Sequence, residues 1–198
     1  MKNIFLLFII LLSINCNSQT INIKDKNGTR SNGAYYKDID QELNQFEGTY
    51  QLITNNGNDE LTMVFKKHTE FYMTPYTEDV LVGEIKYKKD GVVLFDNLNK
   101  INLNLPNKYS HDICGNTLVP AVGIPPCDDC LPNQYRASLI FFGRQNNKGG
   151  GIYLQKIIDN GVEKIKVLIL YTNSIVYDND PIPVPLISYG EYVLTRIN

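Results

Sequence analysis

The sequence predicts an all-β fold: an antiparallel up-and-down barrel of about eight to nine strands, with a short N-terminal helix and one long Cys- and Pro-rich loop. Three observations predict it. Short segments alternate apolar and polar residues at the two-residue period of a strand with one buried face. Asn-Gly and Asp-Gly pairs, the composition of tight hairpin turns, separate several of them. The connections are mostly short, so consecutive strands pair directly rather than through crossovers, and closure into a barrel removes exposed edges.

The chain opens with Met1-Lys2-Asn3 and an unbroken apolar run over residues 4–12, the pattern of a secretory signal peptide. The run is too short to span a bilayer. Removal of residues 1–18 leaves an exported chain, secreted or periplasmic, that begins at Gln19. Lipidation of Cys16 gives instead an outer-membrane lipoprotein, the one case in which a membrane is a partner. Asn15 is not the small residue that lipoprotein signals place before the cysteine, which favours the first reading. Residues 19–37 are polar and glycine-punctuated and read as a flexible lead-in, so the folded domain is expected over residues 38–198.

Residues 38–45 form a short helix with Ile39 and Leu43 on one side, stable only by lying across a barrel end. The first clear strand opens at Phe46-Glu47-Gly48-Thr49-Tyr50, which puts Phe46, Gly48, Tyr50 and Leu52 on one face; Gly48 marks a bend or a close backbone approach. Asn55-Asn56-Gly57-Asn58 is a turn, followed by Leu61, Met63 and Phe65 in alternation, then a strand over residues 80–88. Lys89-Asp90-Gly91 turns into a return strand at 92–95, and alternation continues through Ile101, Leu103 and Leu105. After the long loop at residues 106–134, strands follow at 135–142, 152–158 and 162–171, with turns at 146–150 and at Asp159-Asn160-Gly161. A stiff extended loop at 181–185 precedes a closing strand at 189–197.

A chain of 198 residues, 43% hydrophobic and 20% charged, suits one domain. Its net charge of −2, with both signs interspersed, argues against nucleic acid as a partner. The dense chemical constellation is His111-x-x-Cys114 followed by Cys127-Asp128-Asp129-Cys130. Four such ligands suit zinc, but an oxidising compartment favours a disulfide over free thiolates, so no metal is expected. A redox role is disfavoured because Pro125, Pro126 and Pro132 frame the pair in a loop. The expected bond joins Cys114 to Cys130, with Cys127 as the alternative partner, and fastens the loop over a barrel end as a lid or contact surface. One cysteine is then left over.

No Ser, His and Asp set with hydrolase spacing is visible. His68, beside Lys66 and Lys67, reads as a solvated turn residue. Gly149-Gly150-Gly151 belongs to a hairpin turn rather than a phosphate loop, and the acidic pairs Asp59-Glu60, Glu78-Asp79 and Asp128-Asp129 read as hydrated turns rather than calcium ligands. Neither an enzyme nor a cofactor is expected. An inward set of Leu52, Met63, Phe65, Ile85 and Tyr87 suits a pocket for a small hydrophobic molecule. Filled as core, the same residues describe a structural or protein-interaction module.

Phe46-x-Gly48-x-Tyr50 after a short helix, a meander of hairpins and Arg196 in the last strand together resemble the lipocalin and calycin group. That group opens its first strand with Gly-x-Trp and packs a late arginine on the tryptophan. Tyr50 stands at the tryptophan position, so the resemblance implies that Arg196 stacks on Tyr50. Phe46 to Tyr50, taken with Val80-Leu81-Val82-Gly83-Glu84-Ile85-Lys86-Tyr87, also resembles an uncharacterised domain-of-unknown-function family of exported Bacteroidota proteins over residues 40–105. Ser18-Gln19 resembles the export-signal ends of such proteins. No activity follows from either resemblance.

Overall fold

A computed structural model describes residues 19–26, 28, 30–143, 148–171 and 187–197. Residues 1–18, with Cys16, and the predicted loop at 181–185 lie outside them. The strands are β1 (Thr20–Asn22), β2 (Tyr35–Lys37), β3 (Gly48–Thr54), β4 (Asp59–Met73), β5 (Tyr76–Lys89), β6 (Val92–Asp96), β7 (Ile113–Pro120), β8 (Tyr135–Gly143), β9 (Lys148–Asp159), β10 (Val162–Tyr171) and β11 (Gly190–Arg196). Eight of them form a closed antiparallel barrel. β3, β4 and β5 pair in order, β5 pairs with β7, and β7 to β11 continue the meander. The ring shuts where Thr195 and Arg196 pair with Gln51 and Tyr50.

The long β4–β5 hairpin shows why these residues make this barrel. Leu61, Met63 and Phe65 stand opposite Tyr87, Ile85 and Gly83, so the alternation of both strands points one apolar row inward. The Phe65 ring lies over Gly83, where an added Cβ would come within 2.7 Å of Phe65 Cδ1. Only glycine leaves room for that ring. Ile113, Leu139, Leu154, Val167 and Leu194 complete the interior from the other strands, and full burial of each such side chain is worth about 1.5–3 kcal/mol over leaving it exposed. Gly48 opens β3 at a φ of 134°, a conformation that suits its expected role as a bend.

The structure departs from the sequence reading in several places, each for a physical reason. The expected helix at 38–45 is a 3-10 turn, Glu42–Phe46, set by Asp38, whose carboxylate accepts the backbone N–H groups of Glu42 and Leu43, both at 2.9 Å. Leu43 and Phe46 are fully buried in the barrel core. The lead-in is packed rather than flexible: β1 and β2 add in parallel beside β5, and Ile23, Ala34 and Tyr36 are buried. The strand expected at 101–105 is a 3-10 turn, Leu98–Asn102, followed by an irregular stretch, and Leu103 is exposed. Residues 106–134 are not one loop, because β7 lies inside them and closes the barrel against β5. Gly149, Gly150 and Gly151 lie in β9 rather than in a turn, and a side chain at Gly150 would meet the Leu170 carbonyl. His68 sits in β4, half-buried, not in a solvated turn.

Candidate functional site

Two segments cover the outside of the barrel. Residues 97–112 lie against β4, β5 and β7, where Ile101 packs with Val80, Val82 and Cys114 in a second, outer core. Buried acids face this cover from β5. Glu78 pairs with Lys108, which donates to it in a short hydrogen bond, and with Arg30 at 3.1 Å; Asn116 donates to the same carboxylate at 2.9 Å. Glu84 accepts from or donates to His111 Nδ1 at 2.6 Å, both side chains being 0% exposed. Burial raises the Glu84 carboxyl above its ordinary range, against the opposing pull of the His111 hydrogen bond. Asp112 accepts from the Ile85 N–H at 3.2 Å and from the Asn97 amide, and lies 3.6 Å from Lys100. His68 stands beside His111, ring centroids 6.0 Å apart, and its pKa is lowered by burial and by Lys66 and His111. Glu78 and Asp79 are therefore not a hydrated pair: both are buried, and Asp79 accepts from the Tyr35 hydroxyl at 2.6 Å.

Residues 121–134 form the second cover, over the outer face of β8 to β11. Ala137 and Leu139 point into the barrel, so the strand period turns Arg136 outward beneath the loop. Arg136 is only 4% exposed, and its Nη2 donates to the carbonyls of Pro125 and Gly123. Gln134 fastens the returning arm, accepting from the Leu131 N–H at 3.2 Å and donating to the Lys156 carbonyl at 2.6 Å. Lys166 of β10 reaches the loop tip and pairs with Asp129, with Glu191 3.6 Å away; the Lys166 hydrogen bond holds the Asp129 carboxyl below the usual range. Cys127 and Cys130 close the tip as a disulfide.

That bond corrects the expected Cys114–Cys130 pairing. The turn brings the Cα atoms of Cys127 and Cys130 to 5.4 Å, the ordinary separation for a disulfide. Cys114 points instead into the outer core, free and buried, and burial pushes its thiol up to about 12. The fold thus separates the His111 and Cys114 pair from Cys127 and Cys130, and the four do not gather round one point.

Between loop and sheet lies a recess of about 250 Å³, with Arg136, Tyr153, Gln155 and Lys166 on its floor and Asp128, Asp129 and Glu191 at its walls. A wider groove of about 600 Å³ adjoins it at Asp129 and Gln155 and runs past Leu131 and Ile158 to Glu42. Around both, the loop turns large apolar side chains to solvent: Val122 is 93%, Ile124 88% and Leu131 71% exposed.

The residues expected to bind a ligand inside the barrel are together, but as core. Met63 and Ile85 have no accessible surface and Phe65 almost none, while Leu52 and Tyr87 are partly buried at the edge of the same cluster. Tyr50 and Arg196 do meet, with the guanidinium 6.0 Å from the ring centroid. The stronger partner of Arg196 is Glu163, at 2.6 Å, which Tyr50 also contacts through its hydroxyl at 3.4 Å; burial pushes that hydroxyl up to about 12. Arg136, Lys166 and Glu163 carry no motif in the sequence. Outward residues next to inward apolar ones in strands, opposite a Cys-x-x-Cys loop, are the weak signal they leave.

The class defined here is a closed eight-stranded antiparallel barrel with a disulfide-clasped loop on its outer face. The chain belongs to the DUF6705 family, a family of unknown function, whose model matches residues 1–196. No curated protein and no solved structure matches it.

Proposed function

We propose that this protein is a non-enzymatic interaction module, exported from the cytoplasm, in which a solid barrel presents the disulfide-clasped loop to a protein partner. The observation that carries the reading is the contrast in exposure. Tyr50, Met63 and Ile85 have no accessible surface, whereas a side chain lining a water-sized void keeps some, so packing rather than a ligand fills the space around them. Val122, Ile124 and Leu131 are in the opposite condition: three large apolar side chains stand out on a loop anchored by a disulfide and by Arg136, Gln134 and Lys166. Large apolar side chains held out on an anchored loop beside polar groups are what protein contacts cover. The acids at the rim, Asp128, Asp129 and Glu191, favour a partner whose apolar patch is edged with basic residues. The disulfide supports an oxidising compartment.

A photo-crosslinking residue placed at Ile124 in the producing cell tests this directly. Discrete protein adducts are expected from position 124 and none from position 53, where Ile53 is 55% exposed on β3. Adducts to lipid alone, or equal adducts from both positions, would overturn the reading. Saturable binding of an apolar fluorescent probe, lost on Met63→Trp, would instead favour a small hydrophobic ligand within the barrel.

A further inference from the structure

We propose that the recess beneath the disulfide loop is a binding site for a small carboxylate, held by Arg136. The inference is independent of any protein contact made by the loop. Arg136 carries a permanently charged guanidinium, and the residue is only 4% exposed. Its Nη2 is occupied by the neutral carbonyls of Gly123 and Pro125. Its Nε is buried with no acceptor among the described residues, and no carboxylate there forms an ion pair with it. Among the described residues Lys108 has Glu78 and Lys67 has Asp38 at 2.8 Å, whereas Lys26, like Arg136, meets only neutral oxygens. Buried charge without an ion pair is costly, and the group that answers a guanidinium best is a carboxylate.

The other charges of the recess narrow the ligand. Lys166 is already taken by Asp129 and approached by Glu191, so Asp129 acts on Arg136 only through space and no acid of the wall forms an ion pair with it. With Asp128 they give the recess more negative than positive groups, which disfavours a phosphate dianion and suits a monoanion. The same surplus offers a place for an ammonium. The space, about 250 Å³, lies below the range of sites for drug-sized molecules. A ligand the size of an amino acid fits both the volume and the two poles, with its carboxylate on Arg136 and its amino group toward Asp129 and Glu191. The Tyr153 ring, 5.8 Å from the guanidinium carbon, flanks the place a short side chain would take.

Titration of the isotope-labelled full chain with propionate and with alanine, against sodium chloride at equal ionic strength, tests the site by NMR. The expected result is saturable shifts of the Arg136 Nε–H and of the Tyr153 and Gln155 amides with both compounds, alanine binding more tightly. Propionate binding alone would keep the carboxylate site and remove the ammonium pole. Arg136→Gln should weaken binding on the order of tenfold or more. Because that change also frees the loop carbonyls, Leu168→Trp serves beside it: Leu168 lines the recess, and the indole fills it while leaving Arg136 in place. Shifts no different from those of chloride, or binding kept in both variants, would overturn the proposal.

Discussion

The two covers on the outside of the barrel are held by different means. Residues 97–112 are fixed by charge buried under them: Glu78, Glu84 and Asp112 each meet a cation or an imidazole from the covering or flanking segments. Such an arrangement admits one geometry, because any displacement strands a charge away from water. Residues 121–134 are fixed by a disulfide, by two carbonyls resting on Arg136 and by an ion pair whose carboxylate, on Asp129, is half exposed. They leave a recess, a guanidinium without an ion pair and apolar side chains facing outward. Pairing of every one of these acids marks the first cover as architecture, although Nε2 of His68 and of His111 stays buried without a hydrogen-bond partner. Local rules are broken in the second, and in folded proteins such departures concentrate where binding occurs.

The largest expected effect breaks this comparison at its stronger side. Glu78→Ala leaves Lys108 buried without its acid and should cost about 3–5 kcal/mol in chemical denaturation, whereas Asp129→Ala, removing an exposed partner of Lys166, should cost under about 1 kcal/mol. Similar losses from the two variants would erase the distinction between the covers. Next comes the disulfide. Its loop is short, with a separation of 3 residues, so the paired change Cys127→Ser and Cys130→Ser should lower stability by only about 2 kcal/mol. A loss as large as that of Glu78→Ala would mean that the tip nucleates the fold rather than decorates it.

The smallest effect sharpens the first cover. The pKa of His68 is lowered from its ordinary 6.5 by burial, Lys66 and His111, so the unfolded chain takes up the proton first. The resulting stability is fully present above about pH 6.5 and is lost as pH falls through the window beneath it. His68→Gln should therefore flatten the fall in melting temperature between neutral and mildly acidic pH. An unchanged slope would show that another group governs acid sensitivity.

Legibility in the sequence followed the distance over which each signal acts. Phe46, Gly48 and Tyr50 declared β3 because their alternation is local, and Asp90-Gly91 and Asn160-Gly161 declared their hairpins for the same reason, with Asp90 and Asn160 both at a φ of 50°. β7 was hidden. Ile113 faces the barrel while Cys114 and Asn116 face the outer cover, all of them buried, so no regular alternation with a solvated polar face announces a strand. The Glu78-Asp79 pair read as hydrated because its partners are remote: Lys108 lies 30 residues away and Arg30 lies 48.

By itself the sequence determined the meander and the inward row of Leu52, Met63, Phe65, Ile85 and Tyr87, since pairing between chain neighbours and a two-residue period need only local order; the meeting of Tyr50 with Arg196 was implied only by the lipocalin resemblance. Tertiary structure alone decided which cysteines meet, which charges are buried and where a guanidinium is left without an ion pair. Those outcomes depend on which outward side chains lie under a returning segment. Strand periodicity specifies that Arg136 points out of the barrel, but only the path of residues 121–134 across β8 to β11 turns outward into buried.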